Sequence, residues 1–101
     1  MNKLKIIERI IELRKRANLS QKALSFSIEC NDGYINRLEK KKDFLPSMEV
    51  LLKIIEVCGS SAEEFFYREI KNYKTDVVLL DLINDLTQSQ KEHFIGFLKK
   101  K

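Results

Sequence analysis

Tryptophan is absent from this 101-residue chain, and proline (one), histidine (one), cysteine (two) and glycine (three) are scarce. So little proline and glycine leaves few places where a helix must break. With one histidine, no glycine-rich phosphate loop and no clustered Cys/His/carboxylate set, the chain lacks the usual parts of an enzyme, a metal centre or a cofactor site. Cys30 and Cys58 make neither a disulfide framework nor a metal site by number or spacing, and read as small buried hydrophobes. No apolar run approaches the length of a membrane span. The opening MNKLKIIERIIEL is too regularly charged for the apolar core of a signal peptide, so a cytoplasmic location without a membrane partner is expected.

What is present suits a compact α protein: 44% of residues are hydrophobic and 34% charged. A chain of this length holds one domain with a real core, or one small domain plus an appendage. The net charge of +4 is unevenly spread. Residues 1–45 carry eleven Lys/Arg against six Asp/Glu, and residues 46–101 carry eight against nine. The basic excess therefore lies in the first half, where a polyanion would be met.

The stretch LSQKALSFSIECNDGYINRLE, from Leu19 to Glu39, organises the rest. Leu24 and Ile28, then Ile35 and Leu38, give two short helices one buried stripe each, with a turn at Glu29-Cys30-Asn31 between them. Asn31 is a good N-cap for the second helix and Asp32 favours its positive end. With Ile35 and Leu38 inward, Asp32, Gly33, Asn36, Arg37 and Lys40 face outward, followed by Lys41 and Lys42. A polar helix face beside a run of lysines is what reading base edges between two phosphate rails requires.

From Ile10 to about Phe66 the chain resembles the lambda-repressor-like (XRE) helix-turn-helix family. The resemblance rests on Leu13-Arg14 late in a first helix, Leu19-Ser20-Gln21 opening a second, Ile35 with Leu38-Glu39 in a third, Pro46-Ser47 before MEVLLKIIEVCG, and a short SSAEEFF helix. It implies an all-α fold: a five-helix DNA-binding bundle (1–72), here with two additional C-terminal helices (73–101). It also implies a structural ion pair between Arg14 and Glu39, and a backbone-bonding role for Gln21 that braces the third helix. Glu29 and Lys41 stand where the family usually has glycine, and a non-glycine residue with positive φ is uncommon.

Around that stretch, helix 1 spans Asn2 to about Ala17, with Ile6, Ile7, Ile10, Ile11 and Leu13 inward and Lys3, Lys5, Glu8, Arg9 and Glu12 on the wet face. Ser20 caps helix 2, and Lys40 to Asp43 form a basic loop. Ser47 caps a helix that buries Met48, Leu51, Leu52, Ile55 and Cys58 and stops at Gly59. Ser61 and Glu64 have the capping-box spacing, opening a helix with Phe65, Phe66 and Ile70 inward. Beyond it, Thr75 or Asp76 caps a sixth helix carrying Val78, Leu79, Leu82, Ile83 and Leu86. Thr87 with Gln90, or Ser89 with Glu92, caps a seventh carrying Phe94, Ile95 and Leu98. These two helices either extend the core or pair with the same segment of a second chain. The second is favoured because symmetric half-sites reward dimers. His93 and Lys99 to Lys101 read as solvated.

The expected function is sequence-specific binding of double-stranded DNA by a homodimeric transcriptional regulator, a repressor at an inverted-repeat operator. Asp32, Gly33, Asn36 and Arg37 would lie at base edges. Gln21, Lys22, Asn31, Tyr34, Lys40, Lys41 and Lys42 would meet the backbone. The alternative keeps the scaffold as a protein-interaction module, such as an antitoxin or anti-regulator.

Overall fold

The computed structural model describes residues 2–41, with Lys41 by its backbone alone, and 44–100. Among these described residues seven α-helices follow one another: α1 (Lys3–Arg16), α2 (Gln21–Ser27), α3 (Tyr34–Lys41), α4 (Met48–Val57), α5 (Ala62–Phe65), α6 (Tyr73–Asn84) and α7 (Gln88–Lys99), with a 3-10 turn at Ile70–Asn72 before α6. Among the described residues there is no strand, and no helix is long and apolar enough to cross a membrane. The chain divides into two compact units, Met1–Tyr67 and Arg68–Lys101.

In the first unit, each helix contributes one stripe to a common core. Ile7, Ile10 and Leu13 of α1, Leu24 of α2, Ile35 and Leu38 of α3, Ile54 of α4 and Phe65 of α5 are each completely buried. Side-chain caps fix the helix starts. Asn2 accepts from Lys5 N–H, Ser20 from Ala23 N–H, Ser47 from Val50 N–H and Ser61 from Glu64 N–H, at 3.0 to 3.2 Å. Three helices end alike, the residue after the cap turning left-handed: Asn18 (φ 59°) after α1, Glu29 (φ 62°) after α2 and Gly59 (φ 72°) after α4. In each, the next N–H reaches back to the carbonyl five residues earlier, Leu19 to Arg14, Cys30 to Ser25 and Ser60 to Ile55. Glu29 thus adopts the conformation that a turn glycine would take at no steric cost.

Several side chains differ from the sequence reading. Arg9, expected on the wet face, is buried, because its guanidinium donates to the Phe65 carbonyl at 2.6 Å and ties α1 to the end of α5. Along α4 and its C-cap the buried positions are Leu51, Ile54, Ile55 and Cys58, while Met48 and Leu52 are exposed; the core-facing stripe keeps three of the expected residues and shifts toward Ile54. Burial raises the Cys58 thiol pKa, which keeps it a neutral hydrophobe. The capping box at α5 is half made. Glu64 turns away from the Ser61 backbone toward Ser60 and Arg16, whose guanidinium grips it at 2.8 and 3.1 Å and is itself held more basic by that bond. α5 is a single turn, and Phe66 packs edge-on against Phe65 with about half its surface exposed.

The second unit starts earlier than the caps suggested. α6 begins at Tyr73 behind Asn72, which makes no side-chain cap, and Thr75 and Asp76 fall inside its first turn. The Thr87–Gln90 box is complete in both directions and opens α7. Neither α6 nor α7 buries a single residue.

Candidate nucleic-acid interface

The α2–turn–α3 segment is fixed from inside by Ser25. Its hydroxyl donates to the Gln21 carbonyl at 2.8 Å and accepts from Ile35 N–H at 3.1 Å, so a fully buried serine holds the start of α3 against α2. A buried hydroxyl satisfied on both sides sets an angle as well as a distance. α3 begins at Tyr34 rather than at Asp32. Gly33 takes the N-cap place, its carbonyl accepting from Arg37 N–H at 2.9 Å, and Asn31 supplies its carbonyl to Tyr34 N–H at 3.0 Å. The Asn31 side chain is not spent on capping. Its oxygen accepts from the Arg37 guanidinium at 3.4 Å.

Arg14 reaches from α1 to Glu39 of α3 as a two-pronged pair, Nε to Oε2 at 2.7 Å and Nη2 to Oε1 at 3.1 Å. Its third nitrogen donates to the Leu19 carbonyl at 2.9 Å and so fixes the entry to α2 as well. Both partners are about nine-tenths buried, which makes the forked geometry and the extra bonds necessary to offset desolvation. From Glu39 the network runs outward. Gln21 Nε2 donates to Glu39 Oε1 at 2.8 Å, and Asn36 Nδ2 donates to Gln21 Oε1 at 2.9 Å. The resemblance implied that Gln21 braces the third helix; that the brace runs to Asn36 depends on how close the two helices approach.

The remaining candidates lie around this network. Arg37 and Lys40 are exposed on α3, and Asn36 is half-buried. Lys40 and Lys41 belong to the helix rather than to a loop; the Lys41 side chain and all of Lys42 lie outside the described residues. Lys22 stands 3.8 Å from Asp32, both exposed, so the acid partly neutralises a lysine on the same surface. A Cβ added to Gly33 would meet nothing within 4 Å. Tyr34 packs edge-on against Phe44 with ring centroids 6.1 Å apart, and burial raises its phenol pKa, so it stays neutral at neutral pH. Beside this surface, a shallow cleft of about 410 Å³ is lined by Ser20, Lys22, Ala23, Phe26, Ser27 and Asp32. Phe26, 78% exposed, was not singled out by the sequence reading; its place opposite Leu24 on a two-turn helix is the signal that could have found it.

In the second unit Leu79, Leu82, Phe94, Ile95 and Leu98 are about half exposed or more, and Ile83 and Leu86 are half-buried. Leu86, Gln90, His93, Phe94 and Phe97 line a cleft of about 370 Å³. Among the described residues, no group of His, Cys, Asp or Glu is arranged to hold a metal ion.

No curated protein and no solved structure matches the chain. The helix-turn-helix family HTH_3 matches it over residues 10–65, the span from mid-α1 to the end of α5 that contains every bond of the Arg14–Glu39 network. That family is typically made of DNA-binding transcription regulators. With more than half its length matched and α2, α3 and their bracing serine in place, the chain belongs to the lambda-repressor-like (XRE) helix-turn-helix family.

Proposed function

We propose that the protein is a sequence-specific double-stranded DNA-binding transcriptional regulator, a repressor that binds an inverted-repeat operator as a homodimer. The observation that carries this reading is the division of α3: Ile35, Leu38 and Glu39 are buried while Gly33, Arg37 and Lys40 are exposed beside a half-buried Asn36. A helix held by its back and polar along its front can enter the major groove with its N-terminal residues at base edges. Arg37 is suited to guanine O6 and N7, and Asp32 to a cytosine amino group. Gln21, Lys22, Asn31, Tyr34, Lys40, Lys41 and Lys42 are assigned to the phosphate backbone.

Dimerisation is assigned to the helices of 73–101. Val78, Leu82 and Phe97 are each about 60% exposed, and a soluble chain seldom leaves so many large apolar side chains wet. Two symmetric copies would present two α3 helices to half-sites about one helical turn apart. A second reading, a protein-interaction module such as an antitoxin or anti-regulator, is favoured by Phe26 and its cleft beside the Lys22–Asp32 pair.

The test is selection from a random double-stranded DNA library at two salt concentrations. Recovery of one inverted repeat with steeply salt-dependent affinity is expected; uniform weak recovery would favour the protein partner. Arg37→Ala should then cost about 1–3 kcal/mol on the selected site and little on random DNA. Equal loss on both would remove Arg37 from base reading.

A further inference from the structure

We infer that the buried Arg14–Glu39 pair sets the base preference of Asn36 through a hydrogen-bond chain of fixed polarity, and that Asn36 reads adenine. This inference rests on the DNA-binding reading above. The chain is four residues long and its direction follows from chemistry. A carboxylate only accepts, so Gln21 must turn its amide nitrogen to Glu39 Oε1 (2.8 Å) and its oxygen outward. Asn36 can meet that oxygen only with its own nitrogen, as it does at 2.9 Å. The Asn36 oxygen is left pointing away from Gln21, and it has no partner among the described residues. One N–H of the same amide also stays uncommitted.

The half-buried Asn36 therefore offers an acceptor next to one donor. Adenine is the base whose major-groove edge answers that pattern, with the N6 amino group as donor and N7 as acceptor. Gln21 and Glu39 touch no base here and act as positioning residues. A side-chain amide free to flip would present donors or acceptors alike and discriminate poorly. What removes that freedom is the acceptor-only carboxylate two links away, itself locked by two bonds from Arg14.

Reversing the polarity should change the base that is read. In Glu39→Gln the oxygen of the new amide stays with Arg14 Nε, the shorter of the two bonds, and its nitrogen takes the Oε1 place, where it gives up the bond from Arg14 Nη2 and donates to Gln21. Gln21 then flips, Asn36 flips in response, and two donors face the groove. Those donors suit guanine, which offers O6 and N7 as acceptors.

The experiment is selection of random double-stranded DNA by the full chain and by Asn36→Ala, Gln21→Met, Glu39→Gln and Arg37→Ala, with thermal denaturation of each in parallel. The unmodified chain should prefer adenine at one position per half-site. Asn36→Ala and Gln21→Met should each weaken the preference at that position about tenfold, and Glu39→Gln should admit guanine there. Arg37→Ala should alter a different position. An unchanged preference at that position in Gln21→Met or in Asn36→Ala, whatever the overall affinity, would overturn the inference while leaving DNA binding intact. If Glu39→Gln does not fold, Gln21→Met decides, because its side chain is half-exposed and leaves the ion pair whole. Failure of the unmodified chain to select any motif would instead overturn the DNA-binding reading, and this inference with it.

Discussion

Both units of the chain are made of short amphipathic helices, yet they use their apolar residues in opposite ways. In Met1–Tyr67 the leucines and isoleucines at three- and four-residue spacing close on one another, so that Ile10, Leu13, Leu24, Leu38 and Ile54 lose all solvent contact. In Arg68–Lys101, past a buried Ile70, residues of the same kind at the same spacing are half-buried or exposed, and none in α6 or α7 is fully buried. Periodicity therefore identifies a face without identifying what covers it. The first unit supplies its own cover from five helices and spends its polar surface on α3. For the second, with two helices only, the cover assigned above is a second copy.

The largest effect should come from making one chemical change in both units. Leu13→Ala removes a completely buried side chain and should cost about 2–5 kcal/mol, transfer and cavity terms together. Leu82→Ala truncates a side chain that is 61% exposed, and at concentrations where the chain is monomeric it should cost less than about 0.5 kcal/mol. Urea denaturation at low protein concentration measures both. Comparable losses would break the contrast, since Leu82 would then be part of a core within the monomer.

A smaller effect, and a sharper one, is expected from charge on the wet face. Leu82→Asp should weaken self-association at least tenfold, about 1.4 kcal/mol, while leaving the helical far-ultraviolet spectrum unchanged. Sedimentation equilibrium across a range of concentrations reads this directly. An unmodified chain that stays monomeric at every concentration would leave the apolar face to a different protein and remove the homodimer.

Most of the fold was legible in the sequence because it depends on local signals. Serine caps at Ser20, Ser47 and Ser61, a stop at Gly59 and apolar spacing give all seven helices and their order. What was not legible depends on tertiary approach. Arg9 reads as a surface charge until the Phe65 carbonyl arrives from more than fifty residues away. Ile54 is buried rather than Leu52 because the two flank the Leu51–Ile55 ridge on opposite sides, and only the packing partner decides which side is covered. At the site, a family resemblance named Arg14 and Glu39, and their pair exists at 2.7 Å. The continuation through Gln21 to Asn36 needs the separation of α2 and α3, which no spacing rule supplies. The start of α3 was misjudged because Asn31 looks like a cap and Asp32 suits the first turn after it, whereas the backbone turns once more before Tyr34.

The smallest effect tests how far the first unit has been optimised. Among the described residues, three left-handed helix ends make the same pair of backbone bonds with three different residues: Asn18, Glu29 and Gly59. Glycine has no Cβ to clash in this conformation, asparagine tolerates it, and glutamate bears a steric cost of roughly 1–2 kcal/mol. Glu29 recovers little elsewhere. Its carboxylate, 86% exposed, lies 3.9 Å from Lys53 of α4, a separation at which a surface ion pair contributes little. Glu29→Gly should therefore stabilise the unit by about 1 kcal/mol after the extra chain entropy of glycine is deducted, raising Tm by about 4–8 °C. Because the side chain faces α4 and not the exposed row of α3, DNA selection by the variant should be unchanged. A lowered Tm would mean that the Lys53 contact outweighs the backbone strain, and that the α2–α3 turn is held from α4 rather than by its own hydrogen bonds.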